Sequence, residues 1–190
     1  MMKLRGTALV VGSLAILSVP AAAQRKAGSV GPRQEIGADF TGFYNKPSGG
    51  SGGVDFGLPV DIRVGFLTHH KLMWEPRLSF QYSSGGGTSY IIVPGVNVLY
   101  QLKRGTGPYN LMRAPYVTGG AALNVVHVDL GGAGGSTSWT QLSLNGGVGK
   151  RVPFGSSATR LEGVFGYTFK GGGAPSSFAI GTRIGLSFWH

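Results

Sequence analysis

Hydrophobic and polar residues alternate with a period of two along most of the chain, a pattern typical of half-buried β-strands. In the segment 54–67, apolar side chains stand at every even position, whereas Asp55, Asp61 and Arg63 stand at odd positions. Clusters rich in glycine, serine and proline separate the alternating segments and predict turns. The pattern predicts eight strands, near residues 35–45, 54–67, 72–82, 89–102, 114–129, 137–151, 159–170 and 177–190.

The arrangement of these segments predicts an all-β fold. No segment carries a long apolar stripe at helical spacing, and eight antiparallel strands with short connections close into a barrel because closure removes exposed strand edges. We therefore predict one domain over residues 35–190, a single closed antiparallel up-and-down barrel. The fourth and fifth strands are less regular, since Ile91, Val93 and Leu99 fall on the polar face.

The alternation alone fits two barrels, a water-soluble one with an apolar interior and a transmembrane one with lipid outside and a polar interior. The aromatic residues favour the second. They gather at both ends of the apolar faces, and pairs such as Tyr90/Tyr100 and Phe178/Phe188 span roughly 25 Å along the membrane normal, the height of a barrel's lipid band. The end positions are Tyr44, Tyr82, Tyr90, Phe169 and Phe178 on one side and Phe66, Trp74, Tyr100, Tyr116 and Phe188 on the other.

Opposite charges also recur two residues apart on the polar faces. Side chains at that spacing share a face of a strand, so a narrow interior could hold them as neutral pairs, although surface ion pairs show the same spacing. Only 13% of the 190 residues are charged, which suits an outer surface that meets lipid. The predicted interior charge network comprises Asp61, Arg63, Glu75, Arg77, Arg160, Glu162 and Arg183.

The first 23 residues have the three parts of a secretory signal peptide. Lys3 and Arg5 form a positive head, residues 8–19 form an apolar run, and small residues end at Ala23. The run would rise about 18 Å as a helix, well short of a hydrocarbon core. We expect cleavage near Ala23, followed by a short periplasmic segment over residues 24–34.

The C-terminal stretch resembles the terminal-strand signal of bacterial outer-membrane barrels. Arg183, Gly185 and Phe188 fit that signal, whereas His190 stands where the family usually has Phe or Trp. The whole mature chain resembles the small eight-stranded outer-membrane β-barrel family. This resemblance implies an outer-membrane location, termini in the periplasm, glycine-rich loops outside the cell, and two partners: outer-membrane lipids and the barrel assembly machinery. The connection 103–113 is long for a periplasmic turn.

The basic balance, 17 Lys+Arg against 7 Asp+Glu, does not form a nucleic-acid footprint. The barrel disperses these residues between the interior and a periplasmic fringe that includes Lys71, Lys150 and Arg151, so we expect no nucleic-acid partner. With no cysteine and no nucleotide-binding or zinc motif, the sequence predicts no cofactor and no metal.

Candidate catalytic chemistry is sparse. Some small outer-membrane barrels modify lipids with a serine and a histidine near one rim, and here Ser136 or Ser138 with His127 is the arrangement that could imitate them. His127 and Asp129 share one strand face, where polar strand-end residues are the ordinary interpretation. We predict no catalytic residues and a structural or surface-interaction role, with the surface ligand unknown. Two alternatives stay open: an outer-membrane lipid hydrolase or acyltransferase, and a soluble periplasmic lipocalin-like carrier of an apolar ligand.

Overall fold

The computed structural model describes residues 34–56, 60–69, 71–84, 87–102, 113–131 and 135–189. The predicted signal peptide, residues 24–33 and His190 lie outside the described residues. The strands are β1 (Gln34–Pro47), β2 (Gly53–Phe56), β3 (Val60–His69), β4 (Leu72–Ser84), β5 (Thr88–Gln101), β6 (Tyr116–Asp129), β7 (Ser136–Phe154), β8 (Ser157–Thr168) and β9 (Ser177–Trp189).

The strands form one closed antiparallel sheet in the order β2-β1-β3-β4-β5-β6-β7-β8-β9, and β1 also pairs with β9. The β1–β9 seam runs from Glu35↔Trp189 to Pro47↔Ser177, so no strand edge is left between the first and last strands. Both β2 and β3 pair with β1. β2 pairs with residues 42–45 and β3 with residues 34–39, so together they form the second barrel strand. The fold is therefore an eight-stranded up-and-down barrel, and the predicted fold class is confirmed.

Strand boundaries follow the predicted turns closely. The main difference is at the second strand, which appears as β2 and β3 instead of one segment. The β7–β8 hairpin turns at Gly155, whose φ of 61° suits glycine because a side chain strains that conformation. Leu102 donates its backbone N–H to Pro115 O at 2.9 Å, which joins the ends of β5 and β6; residues 103–112 between them lie outside the described part.

Among the described residues, no helix is both long enough and apolar enough to cross a membrane.

The apolar faces of the strands point outward and the charged faces point inward. Leu78 and Leu186 are 49% and 47% exposed, whereas Arg77 and Glu162 are 8% and 3% exposed. A soluble barrel shows the reverse arrangement, with apolar side chains inside. The inverted barrel expected from the sequence is therefore the one observed.

Two residues placed by the sequence analysis point the other way. Tyr116 was expected on the lipid-facing rim but is fully buried, because it shares the inward face of β6 with Thr118 and opposes Val117. Arg151 was expected in the exposed periplasmic fringe but is also fully buried, on the inward face of β7. Both predictions were wrong for one reason: the interior offers each polar group an ionic partner that the local sequence does not reveal.

Candidate functional site: the charged interior of the barrel

Ten ionised side chains fill the barrel on the side of the chain termini, and we call them the interior charge network. The network has five carboxylates and five guanidinium groups, so its formal charge is zero. Its members are Glu35, Asp39, Asp61, Glu75, Glu162, Arg63, Arg77, Arg151, Arg160 and Arg183.

Arg63 on β3 connects this network to the closing seam of the barrel. It donates from Nη1 to Glu35 Oε1 at 2.6 Å and from Nε to Asp39 Oδ2 at 2.9 Å. A third donor, Nη2, reaches Ser187 Oγ on β9 at 2.7 Å. Because Glu35 and Asp39 lie on β1, this one guanidinium links three neighbouring strands from the inside.

Arg160 on β8 crosses the interior to the opposite wall. Its Nη2 donates to Glu162 Oε2 at 2.6 Å, and its Nη1 donates to Glu75 Oε2 on β4. Its Nε donates to the hydroxyl of Tyr116, which in turn donates to Glu162 Oε2 at 2.8 Å. Arg160 and Tyr116 therefore connect β4, β6 and β8 across the centre of the barrel.

Three further arginines complete the network. Arg77 contacts Asp39 at 2.8 Å and Glu75 at 3.0 Å, and also binds Asp61. Arg151 Nη2 lies 2.6 Å from Glu35 Oε2, and Arg183 pairs with Glu162. Burying a charge is costly unless it is paired and hydrogen-bonded. The ion pairs of the whole network together offset the desolvation cost of its ten charges.

An apolar layer closes the terminus end beneath the charges. Met73, Leu99, Tyr116 and Trp189 pack into one cluster. The Arg151 guanidinium lies over both aromatic rings, 4.7 Å from the Tyr116 centroid and 5.2 Å from the Trp189 centroid. Leu99, an apolar residue on the otherwise polar face of β5, faces inward and packs in this cluster.

Glycines on the inner wall make room for the arginines. A Cβ added at Gly37 would overlap the Arg63 guanidinium, and one at Gly185 would overlap the Asp39 carboxylate. Both glycines lie on the β1–β9 seam, where Gly37 pairs with Ser187 and Gly185 pairs with Asp39. The interior charge network and the glycines beside it therefore depend on each other sterically.

All seven charged residues named from the sequence lie inside the barrel, where they form ion pairs of the interior charge network. Sequence reasoning missed Glu35, Asp39, Arg151 and the two hydroxyls of Tyr116 and Ser187. For Glu35 and Asp39 a signal was present, because they alternate with the apolar residues 36, 38 and 40. Of the terminal-strand residues, Arg183 and Gly185 face inward and Phe188 faces outward.

A second polar cluster lies on the outer face, near the loop end of β6 and β7. His127 Nδ1 lies 2.7 Å from Ser138 Oγ, and the Tyr90 ring stacks on the imidazole with centroids 4.8 Å apart. Asp129 Oδ1 accepts a hydrogen bond from the Gly131 N–H at 2.9 Å instead of contacting His127. Among the described residues, no group of three or more metal-ligating side chains is present.

Comparisons with known proteins bear on the fold. No family model and no curated protein matches the chain. Among solved structures, Neisserial surface protein A is similar at a TM-score of 0.59 and 16% identity, over 83% of this chain and 97% of that one. Ail, the attachment invasion locus protein of Yersinia pestis, is similar at a TM-score of 0.51 and 12% identity, over 84% of this chain and 99% of that one. The fold is that of the small eight-stranded outer-membrane barrels, as the sequence resemblance implied.

Proposed function

We propose that this chain is a bacterial outer-membrane protein whose barrel is closed by the interior charge network and whose role is structural or interactive, without catalysis. The observation that carries the proposal is the inverted arrangement of its surfaces, with apolar side chains outside and paired charges within. Such an outer surface is stable against acyl chains and unfavourable against water. The likeness of fold to Neisserial surface protein A and Ail supports the same location.

In this proposal the termini lie in the periplasm and the glycine-rich loops lie outside the cell. Two of these loops are tied together, because Ser48 Oγ donates to Ser176 O at 3.0 Å. Gln141 Nε2 also donates to Phe169 O and Pro175 O, both at 3.0 Å, which fixes the β8–β9 loop to β7. The partners are outer-membrane lipids around the barrel and the barrel assembly machinery, which would read Arg183, Gly185, Phe188 and His190 at the C-terminal strand.

Electrophoresis in dodecyl sulfate tests the membrane assignment directly. We expect the purified, detergent-folded protein to run at two positions, one when loaded unheated and another after boiling. A transmembrane barrel resists unfolding because all of its backbone groups are paired within the closed sheet.

A single position under both conditions would count against the assignment. A protein that also stays monodisperse without detergent would support the soluble carrier instead.

The contact between His127 and Ser138 supports a second candidate function, lipid hydrolysis or acyl transfer at the outer rim. A serine within hydrogen-bond reach of a histidine is the minimum arrangement for an activated nucleophile. The site faces outward, where it would meet lipid, but Asp129 does not orient the imidazole.

This candidate predicts that the protein releases fatty acid from outer-membrane lipid and that His127→Ala lowers the release about 100-fold or more. Thin-layer chromatography of the lipid products measures it. Thr140→Ala, an exposed change on β7, the strand of Ser138, is the matched control and should leave the release unchanged. Equal release by wild type and His127→Ala, or none by wild type, would eliminate the hydrolase and favour the non-catalytic role.

A further inference from the structure

The barrel interior changes character on the loop side of the interior charge network. Among the residues whose side chains the structure describes, the inward-facing ones there are uncharged, and several are large and apolar, in contrast to the ionised residues below. They are half-buried, whereas inward-facing residues of the lower half are almost all fully buried. We call this region the upper chamber; its apolar wall consists of Phe43, Ile91, Val93, Val126 and Val164.

Several other inward positions of the upper chamber carry small residues, which fill less of the interior than large side chains would. Ser79, Ala122, Gly166 and Gly181 face inward at the height of the apolar wall. From Arg183 to Ser177 the strand rises roughly 15 Å along the barrel axis, at the usual strand spacing and tilt. A concave, partly apolar space of this depth is typical of a small-molecule site.

Arg183 forms the floor of the upper chamber. Its side chain is 12% exposed, more than that of any other arginine in the network. It donates from Nη1 to Glu162, but that carboxylate is shared with Arg160 and Tyr116. Arg183 Nε lies 3.9 Å from Asp61 Oδ2 and has no hydrogen-bond partner within the described part of the chain. Arg183 therefore makes the fewest hydrogen bonds to described carboxylates of the five arginines, one against at least two for each of the others.

We propose that the upper chamber binds a small amphipathic anion, of the chemical class of a medium-chain fatty acid, with its carboxylate on Arg183 and its hydrocarbon tail along the apolar wall. A carboxylate supplies the acceptor that Arg183 lacks, and a charge-assisted hydrogen bond to a largely desolvated guanidinium is among the stronger polar contacts. The tail covers Ile91 and Val93, whose apolar side chains otherwise face a water-accessible interior. This inference concerns the interior and goes beyond the proposed surface role.

Tryptophan quenching in lipid nanodiscs tests the proposal, because it avoids free detergent, which would compete for the chamber. Trp139 lies on the inward face of β7 near the chamber mouth, whereas Trp74 faces outward. A protein with Trp139 alone (Trp74→Phe, Trp189→Phe) reports binding inside, and one with Trp74 alone (Trp139→Phe, Trp189→Phe) reports partitioning into the bilayer. The probe is a twelve-carbon carboxylate carrying a nitroxide, compared with the alcohol of the same length.

We expect saturable quenching of Trp139 by the carboxylate at concentrations that quench Trp74 only in proportion to its partitioning. Arg183→Gln should weaken binding of the carboxylate about tenfold and leave binding of the alcohol unchanged. Val93→Asn, which keeps Arg183, should weaken binding of both probes. Lys150→Gln, an exposed change outside the chamber, is the control and should alter neither.

Quenching of Trp139 that merely parallels that of Trp74 would overturn the proposal, as would equal affinity of wild type and Arg183→Gln for the carboxylate. Each variant is first checked for the heat-dependent shift in electrophoresis. If the protein with Trp139 alone and an otherwise unaltered chamber keeps this shift but shows no saturable binding, the chamber is refuted and the outer-membrane proposal stays intact.

Discussion

Arg160→Met is expected to lower the free energy of unfolding by about 3–5 kcal/mol, because removing one partner of a buried ionic group leaves the other charges uncompensated. Arg160 binds Glu75 and Glu162 on two different strands and also the Tyr116 hydroxyl. Methionine fills a similar volume but offers no donor. Unfolding by guanidinium chloride of the barrel folded in phospholipid vesicles measures this loss of stability.

A double variant separates the charge from the packing. Arg160→Met combined with Glu75→Gln should be more stable than Arg160→Met alone by about 1 kcal/mol or more, since the network then has four carboxylates for its four remaining guanidinium groups. Lys150→Met removes an exposed cation from the neighbouring strand and should change stability by no more than about 0.5 kcal/mol. If Arg160→Met costs no more than Lys150→Met, the interior charge network does not stabilise the barrel.

Ile184→Lys is expected to destabilise the barrel by about 2–4 kcal/mol in a bilayer, because it places an ammonium group against the hydrocarbon near the midplane. Ile184 is 53% exposed on the outer face of β9, between Phe178 and Phe188, which stand near the two ends of the same apolar stripe. Folding in vesicles followed by denaturant titration gives the difference in free energy between the variant and the wild type.

Gln34→Lys is the matched control for this experiment. Gln34 is exposed on the adjacent strand β1 but lies at its very beginning, where the interface lets a lysine reach water, so a cost of about 0–1 kcal/mol is expected. A water-soluble barrel would accept a lysine at either position. Equal and small effects of the two substitutions would therefore contradict the membrane-spanning surface.

Much of the fold follows from the local pattern. The eight segments predicted from alternation all became strands, and the turn at Gly155 coincides with a predicted break. Alternation succeeds because a strand's side chains point to opposite faces in turn, whatever the strand pairs with. It also assigned Asp61, Glu75 and Arg160 to the polar face, since each stands beside apolar neighbours in sequence.

The alternation of apolar and polar residues did not predict which side chains of the candidate site meet. Glu35 and Arg151 are 116 positions apart, and nothing in either neighbourhood shows that the two side chains meet. Tyr116 illustrates the same gap, because an aromatic residue at a strand end suits both a lipid rim and a buried hydroxyl. Its partners Arg160 and Glu162 lie on β8, which is two strands away from β6 around the wall.

The sequence by itself determined where along the chain the eight barrel strands lie and which residues of each strand share a face, because both depend on backbone geometry and on near neighbours in the chain. Only the tertiary structure decided which charges pair, how Gly37 and Gly185 make room for them, and that Arg151 and Tyr116 lie inside. Those contacts cross the interior, and they exist only once β1 and β9 have paired and the closed wall has brought distant strands face to face.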